Sequence, residues 1–201
     1  FRHYTQSTLI SESFMNFCSN CGSSVTQKIP EGDNRLRYVC ESCAEIHYQN
    51  PRVIAGILPI YNNQILLCKR SIEPRIGYWT LPAGFLENGE STLEGALREC
   101  AEESLATVIN PELYAIFDIP QIHQVYIFYR AELEAPVFGP TSESSEVALF
   151  DEDDIPWDKL AFPMVEVTLD HYLEDRKTGN FDVIREDIRR PWTSKHNPPK
   201  N

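Results

Sequence analysis

The chain has 201 residues, 42% of them hydrophobic and 11% aromatic, which suits one medium domain with a substantial core plus a small module. A formal net charge of −12 argues against a broad grip on a nucleic-acid backbone, which needs many Lys and Arg side chains on one surface, so the expected partner is a small molecule. No apolar run approaches the roughly eighteen residues of a membrane span, and segment 1–13 is too polar for a signal peptide; a cytoplasmic location is expected.

After that N-terminal extension, residues 14–48 carry Cys18-x2-Cys21 and Cys40-x2-Cys43 with eighteen residues between the pairs. This spacing reads as a zinc ribbon, because each knuckle turns two thiolates toward one point and soft thiolates in a tetrahedron suit Zn2+ at about 2.3 Å. Asn20, Gly22 and Ser42 are turn residues at the knuckles, and Pro30, Gly32, Asp33 and Asn34 mark the tip between two short strands. Disulfides or a redox pair are the alternatives, disfavoured by two matched knuckles without a secretory signal. So small a module is expected to draw much of its folding free energy from the metal.

Pro51 marks the boundary of a second domain, residues 49–190. Val53–Ile60 and Gln64–Lys69 read as a hairpin joined through Tyr61-Asn62-Asn63. A helix then begins near Ser91, where Ser91 and Glu94 form a capping-box pattern and Leu93, Ala96, Leu97 and Cys100 recur at i, i+3, i+4 and i+7. Cys68, in an apolar run, and Cys100, on that stripe, are expected in the core. Strands follow at Leu113–Ile119 and Val125–Leu133, and an acidic linker, Thr141–Glu146, leads to a short strand, Val147–Phe150. A last helix starts with Pro163 in its first turn and stops before Gly179. The tail, 191–201, is expected to be mobile or to cross onto a neighbour, leaving a homodimer open.

On the first helix, Glu99, Glu102 and Glu103 fall on a face other than the apolar stripe, where like charges three and four residues apart destabilise by roughly 0.2–0.5 kcal/mol per pair unless neutralised. A bound cation would neutralise them. Arg98 stands four residues from both Glu94 and Glu102, and Glu90 lies across the turn, so one guanidinium can orient several acids. Alone, such a run is more often a solvated acidic face.

Read from Gly84 as glycine, five residues, Glu90, seven residues, Arg98-Glu99, two residues, Glu102-Glu103, the segment resembles the Nudix box of the Nudix hydrolases. The resemblance, covering residues 14 to about 180, implies an α/β/α sandwich with a mixed sheet behind the small β zinc ribbon. It also implies hydrolysis of a pyrophosphate linkage assisted by Mg2+ or Mn2+. Glu99 and Glu103 are the first-choice ligands, with Glu102 sharing a second ion. The strand approaching Gly84 supplies the Ala83 carbonyl, and Glu146, in an acidic segment before a late strand, matches the family's later-loop base. The box ends differently: Ser104 is followed by Leu105 where family members carry glycine, so the sequence does not fix the geometry of that helix end.

Ribbon plus box is similar to the NADH pyrophosphatases and to relatives acting on FAD and ADP-ribose. The Ser-Gln-Pro-Trp-Pro-Phe-Pro element of NADH pyrophosphatases is absent after the box, and Pro120 stands fifteen residues beyond Leu105, a spacing associated with ADP-ribose hydrolases. ADP-ribose or FAD is therefore expected over NADH or NAD-capped RNA. Arg52, Lys69 and Arg70 are local cations for an anionic, dinucleotide-like substrate. A ligand-sensing regulator would be expected to have broken box acids, and none is broken; an adaptor acting through the ribbon would release no AMP.

Overall fold

In the computed structural model, residues 15–189 and 194–196 are described. The chain divides into two compact units, Phe1–Asn50 and Pro51–Asn201.

The first unit is a three-stranded antiparallel sheet of β1 (Val25–Lys28), β2 (Arg37–Cys40) and β3 (Ile46–His47) in that order. The two knuckles close alike: Gly22 and Ala44, each just past the second cysteine of its pair, have φ of 74° and 62°. Glycine reaches that region freely, whereas alanine does so at a cost of about 1–2 kcal/mol.

In the second unit, β4 (Arg52–Tyr61) and β5 (Gln64–Arg70) form the expected hairpin. Asn62 and Asn63 both lie at positive φ, as a two-residue loop matching the strand twist requires. Short strands β6 (Trp79–Thr80) and β7 (Ala83–Phe85) pair with β5 and β4. They precede α1 (Thr92–Ser104). Next come β8 (Val108–Ile119), β9 (Gln124–Leu133), β10 (Ser144–Phe150), α2 (Pro163–Thr178) and β11 (Ile184–Asp187). The sheet runs β10-β5-β4-β9-β8-β11, with β4/β9 and β8/β11 parallel and the other neighbours antiparallel.

The sheet is covered on both faces. Ala55, Ile57, Leu66, Ala131 and Leu133 pack with Ala96 and Cys100 of α1, whereas Leu58, Ile60, Ile65, Leu67 and Phe128 pack with Val165, Leu169 and Tyr172 of α2. This is the expected α/β/α sandwich around a mixed sheet. Cys68 and Cys100 are core residues.

Three boundaries differ from the sequence reading. β8 begins five residues early because Asn110, at φ 52°, and Pro111 interrupt its pattern with a register irregularity that the ladder bridges. β10 takes in Ser144 to Glu146, read as linker, because a bulge there lets a polar run continue the pairing. β11, four mostly exposed residues at the sheet edge, offers too little periodicity to be seen. Of the tail, Lys195 and His196 contact Glu166 and Asp170 of α2 in their own chain. The rest of the tail, on which the expectation of a mobile or crossing segment falls, lies outside the described residues.

Candidate active site

Helix α1 is set by its ends. Ser91 Oγ accepts from the Glu94 N–H at 3.3 Å, and Glu94 returns the bond to the Ser91 N–H at 2.7 Å, the reciprocal box. At the other end Leu105 adopts the left-handed cap itself, φ 59°, its N–H bonding to Ala101 O at 2.9 Å.

Arg98 organises the acids. Its Nε and Nη2 hold Glu90 at 3.0 and 2.7 Å, Nη1 reaches Glu99 at 2.7 Å and Glu102 at 3.0 Å, and Nη2 also donates to the Phe85 carbonyl at 3.1 Å. Those contacts occupy all five N–H groups of a guanidinium. Arg98 therefore positions carboxylates and has no donor left for a substrate phosphate. The pairing holds the Glu90 carboxyl down at about 2, helped by the Glu87 N–H.

Glu103 is buried and Glu99 is partly buried. The Glu99 carboxylate lies directly over Gly84: a Cβ there would stand 2.3 Å from Glu99 Cδ. Glu103, 6% exposed, accepts the Ala83 N–H at 3.0 Å and has no ion-pair partner among the described residues. Burial pushes its carboxyl up to about 7 against the pull of the Ala83 N–H, with the Glu99 charge adding to the rise. Burial likewise raises Glu99, which Arg98 only partly offsets. Glu102 sits at the exposed rim.

Late in the chain, Glu146 is exposed and paired with Lys69 at 3.1 Å across the β5/β10 ladder. The late acid whose charge acts on both Glu99 and Glu103 is Glu143. Its loop is pinned by Ser71 N–H to Glu143 O at 2.8 Å and by the Thr141 hydroxyl near Glu103 O at 3.5 Å. The sequence reading chose Glu146 from an acidic run that holds both glutamates, and a bulge between Ser144 and Glu146 separates the two. Among the cations named from the sequence, Arg70 acts on Glu103, while Arg52 lies 5.4 Å over the Phe85 ring.

The donor set fits a hard divalent cation: one buried carboxylate, a second partly buried, a third at the rim, and a charge deficit that protein cations leave uncorrected. In the ribbon, the four cysteine sulfurs lie within 4.8 Å of one another, with Cys18–Cys43 at 3.6 Å and Cys21–Cys40 at 3.5 Å. Those two separations are close to the edge of about 3.8 Å of a tetrahedron with Zn–S near 2.3 Å. The Ser23 hydroxyl and N–H hold the Cys21 thiol down at about 6, while, against the pull of the Glu45 N–H, burial and the neighbouring thiols push Cys43 up to about 11, so without metal the four sulfurs share their protons unevenly.

Comparison with known proteins agrees with this geometry. Residues 16–49 match a zinc-ribbon family described as "Nudix N-terminal", and residues 50–170 match the family described as "NUDIX domain". A crystal structure of a NUDIX hydrolase from Nitrosomonas europaea is 49% identical, covering 87% of this chain and 99% of that one, with a TM-score of 0.84. An ADP-ribose pyrophosphatase of Methanocaldococcus jannaschii is 28% identical over 62% of this chain and 75% of its own length. An NAD-capped RNA hydrolase, NudC, of Vibrio vulnificus is 27% identical over 71% of this chain, which spans only 53% of that relative. Among the described residues no helix is long and apolar enough to cross a membrane. With the box acids gathered on α1, a sandwich around them and both family matches in register, the chain belongs to the Nudix hydrolases and carries their N-terminal zinc ribbon.

Proposed function

We propose that the protein hydrolyses the diphosphate linkage of a nucleoside diphosphate derivative, preferably ADP-ribose or FAD, releasing AMP. The observation that carries this reading is the Arg98-ordered cluster with Glu99 over Gly84 and Glu103 on the Ala83 N–H. Glu99 and Glu103 would hold Mg2+ or Mn2+, with Glu102 at the rim. When bound, the cation supplies charge neutralisation on the diphosphate and acidifies water. Glu143, whose charge acts on both Glu99 and Glu103, is the candidate for taking the proton of the attacking water, Arg98 keeps the acids in place, and Arg70 offers a cation to a phosphate. Water adds to one phosphorus, the bond from that phosphorus to the bridging oxygen breaks, and ADP-ribose gives AMP and ribose 5-phosphate.

Support for ADP-ribose comes from the archaeal relative, from the absent NADH element and from the acidic chain, which disfavours RNA. The NudC relatives favour NAD-capped RNA as the second reading. A panel of ADP-ribose, FAD, NADH and NAD-capped RNA, assayed with Mg2+ and with Mn2+, separates them. A preference of more than about tenfold for capped RNA or NADH, roughly 1.4 kcal/mol in the transition state, would reject the substrate class. Elemental analysis should find one structural zinc per chain in protein prepared without chelator.

A further inference from the structure

Lys195 and His196 lie against α2, far along the chain from the box. There Glu166 and Asp170 are carboxylates at i and i+4 on one helical face, and Glu166 is only 3% exposed. Like charges so placed repel, and a buried carboxylate needs donors. The C-terminal segment supplies them. Lys195 N–H donates to Glu166 Oε1 at 2.9 Å, Lys195 Nζ lies 3.4 Å from Asp170, and His196 Nε2 is 2.7 Å from Asp170 Oδ1. The His196 ring stacks on Trp157 at 3.7 Å between centroids and 14° between planes. It borders an acidic recess of about 350 Å3 that includes Glu152, Asp153 and Glu174.

Trp157 leads directly toward the metal-site strand. It opens the 3-10 turn Trp157–Lys159; Leu160 then bridges Trp79, and the Ala161 N–H donates to Trp79 O at 2.8 Å. Trp79 is buried, its ring edge-on to Phe150 at 4.9 Å. Four residues later Ala83 gives its N–H to Glu103.

We propose that Lys195 and His196 form a C-terminal latch whose hold on Trp157 fixes, through Leu160, Ala161 and Trp79, the segment that presents Ala83 to Glu103, and so sets the metal affinity of the acid cluster. Both are positioning residues and neither touches substrate. The inference rests on the reading of that cluster as the metal site.

The test uses the full chain with His196→Ala. Two quantities are measured: the Mg2+ concentration giving half-maximal hydrolysis of ADP-ribose, and amide hydrogen exchange across residues 79–85. The latch predicts a rise of about two- to thirtyfold in the Mg2+ requirement, the range by which residues along a coupling path shift a distant site. Substrate KM should stay within about twofold. Exchange across 79–85 should quicken, and His196→Phe, which keeps the ring on Trp157, should restore much of both. Unchanged Mg2+ requirement and unchanged exchange in folded His196→Ala would overturn the latch. If that variant does not fold, His196→Gln, which keeps a donor and loses the stack, carries the same comparison. Absence of metal-dependent turnover in the unaltered protein would instead sink the proposed function, and the exchange measurement would still decide the latch.

Discussion

The Glu99 carboxylate occupies the space that a side chain at Gly84 would need, with Cδ and both oxygens 2.3–2.4 Å from a Cβ placed there. The box glycine is therefore the seat of a metal-ligand candidate, and its need for glycine is steric, since its φ lies outside the left-handed region. Gly84→Ala should push Glu99 off its position. We expect kcat to fall about 100-fold, the scale of a 1 Å misplacement in a site, and stability to drop by about 1–3 kcal/mol from overpacking. Steady-state kinetics with a thermal melt decide it; a variant with unaltered kcat would mean Glu99 does not work from this seat.

Glu103 makes a pH prediction for the metal-free protein. Its folded value of about 7 lies above the ordinary carboxylate value of 4.5, so the folded state holds the proton more tightly. Its contribution to stability is full below about 4.5, declines as pH rises and is lost above about 7. Melts of Glu103→Gln and the unaltered protein without metal should diverge in that window, the variant gaining relative stability as pH rises. Because the proton and the cation compete for one carboxylate, the melting-temperature gain from Mg2+ should grow from pH 5.5 to pH 8 in the unaltered protein and be much smaller in the variant. Parallel curves would show that Glu103 is not the titrating group.

Two late glutamates are separated by a paired set of substitutions. Glu143→Gln is expected to lower kcat by about 10²–10⁴, the usual worth of a general base. Glu146→Gln, which loses only an exposed pair with Lys69, should stay within about twofold. The reverse ranking would return the role to the residue that the sequence pattern favours.

Much of this architecture was legible because it rests on short-range chemistry. The Asn62-Asn63 turn, the Ser91/Glu94 box and the apolar run of β5 each follow from residues close together in the chain. In β9, Val125, Ile127, Tyr129, Ala131 and Leu133 alternate in the sequence, yet Tyr126 and Phe128 pack on the opposite face, which a sandwich requires and a single period does not reveal. Ligand candidates on one helix could be read from spacing. The coupling of Glu143 to Glu99 and Glu103 and the docking of His196 could not, because contacts across the fold bring those residues together.

Leu105 shows where local preference yields to context. It holds the left-handed C-cap while 59% exposed, so little packing offsets the cost of its backbone. Leu105→Gly should stabilise the protein by about 1 kcal/mol, seen as a melting temperature a few degrees higher, with activity retained. A lower melting temperature would mean that the leucine side chain contributes more than its exposure indicates.

The most direct test of the central claim is release of AMP from ADP-ribose, followed by chromatography with and without Mg2+, in the unaltered protein and in Glu99→Gln and Glu103→Gln. The account predicts Mg2+-dependent release of AMP and ribose 5-phosphate in equal amounts, and a loss of at least about 100-fold in each variant, the scale of removing electrostatic stabilisation from a site. Both variants should remain folded. Release that needs no divalent cation, or that survives at the unaltered rate in both variants, would contradict it.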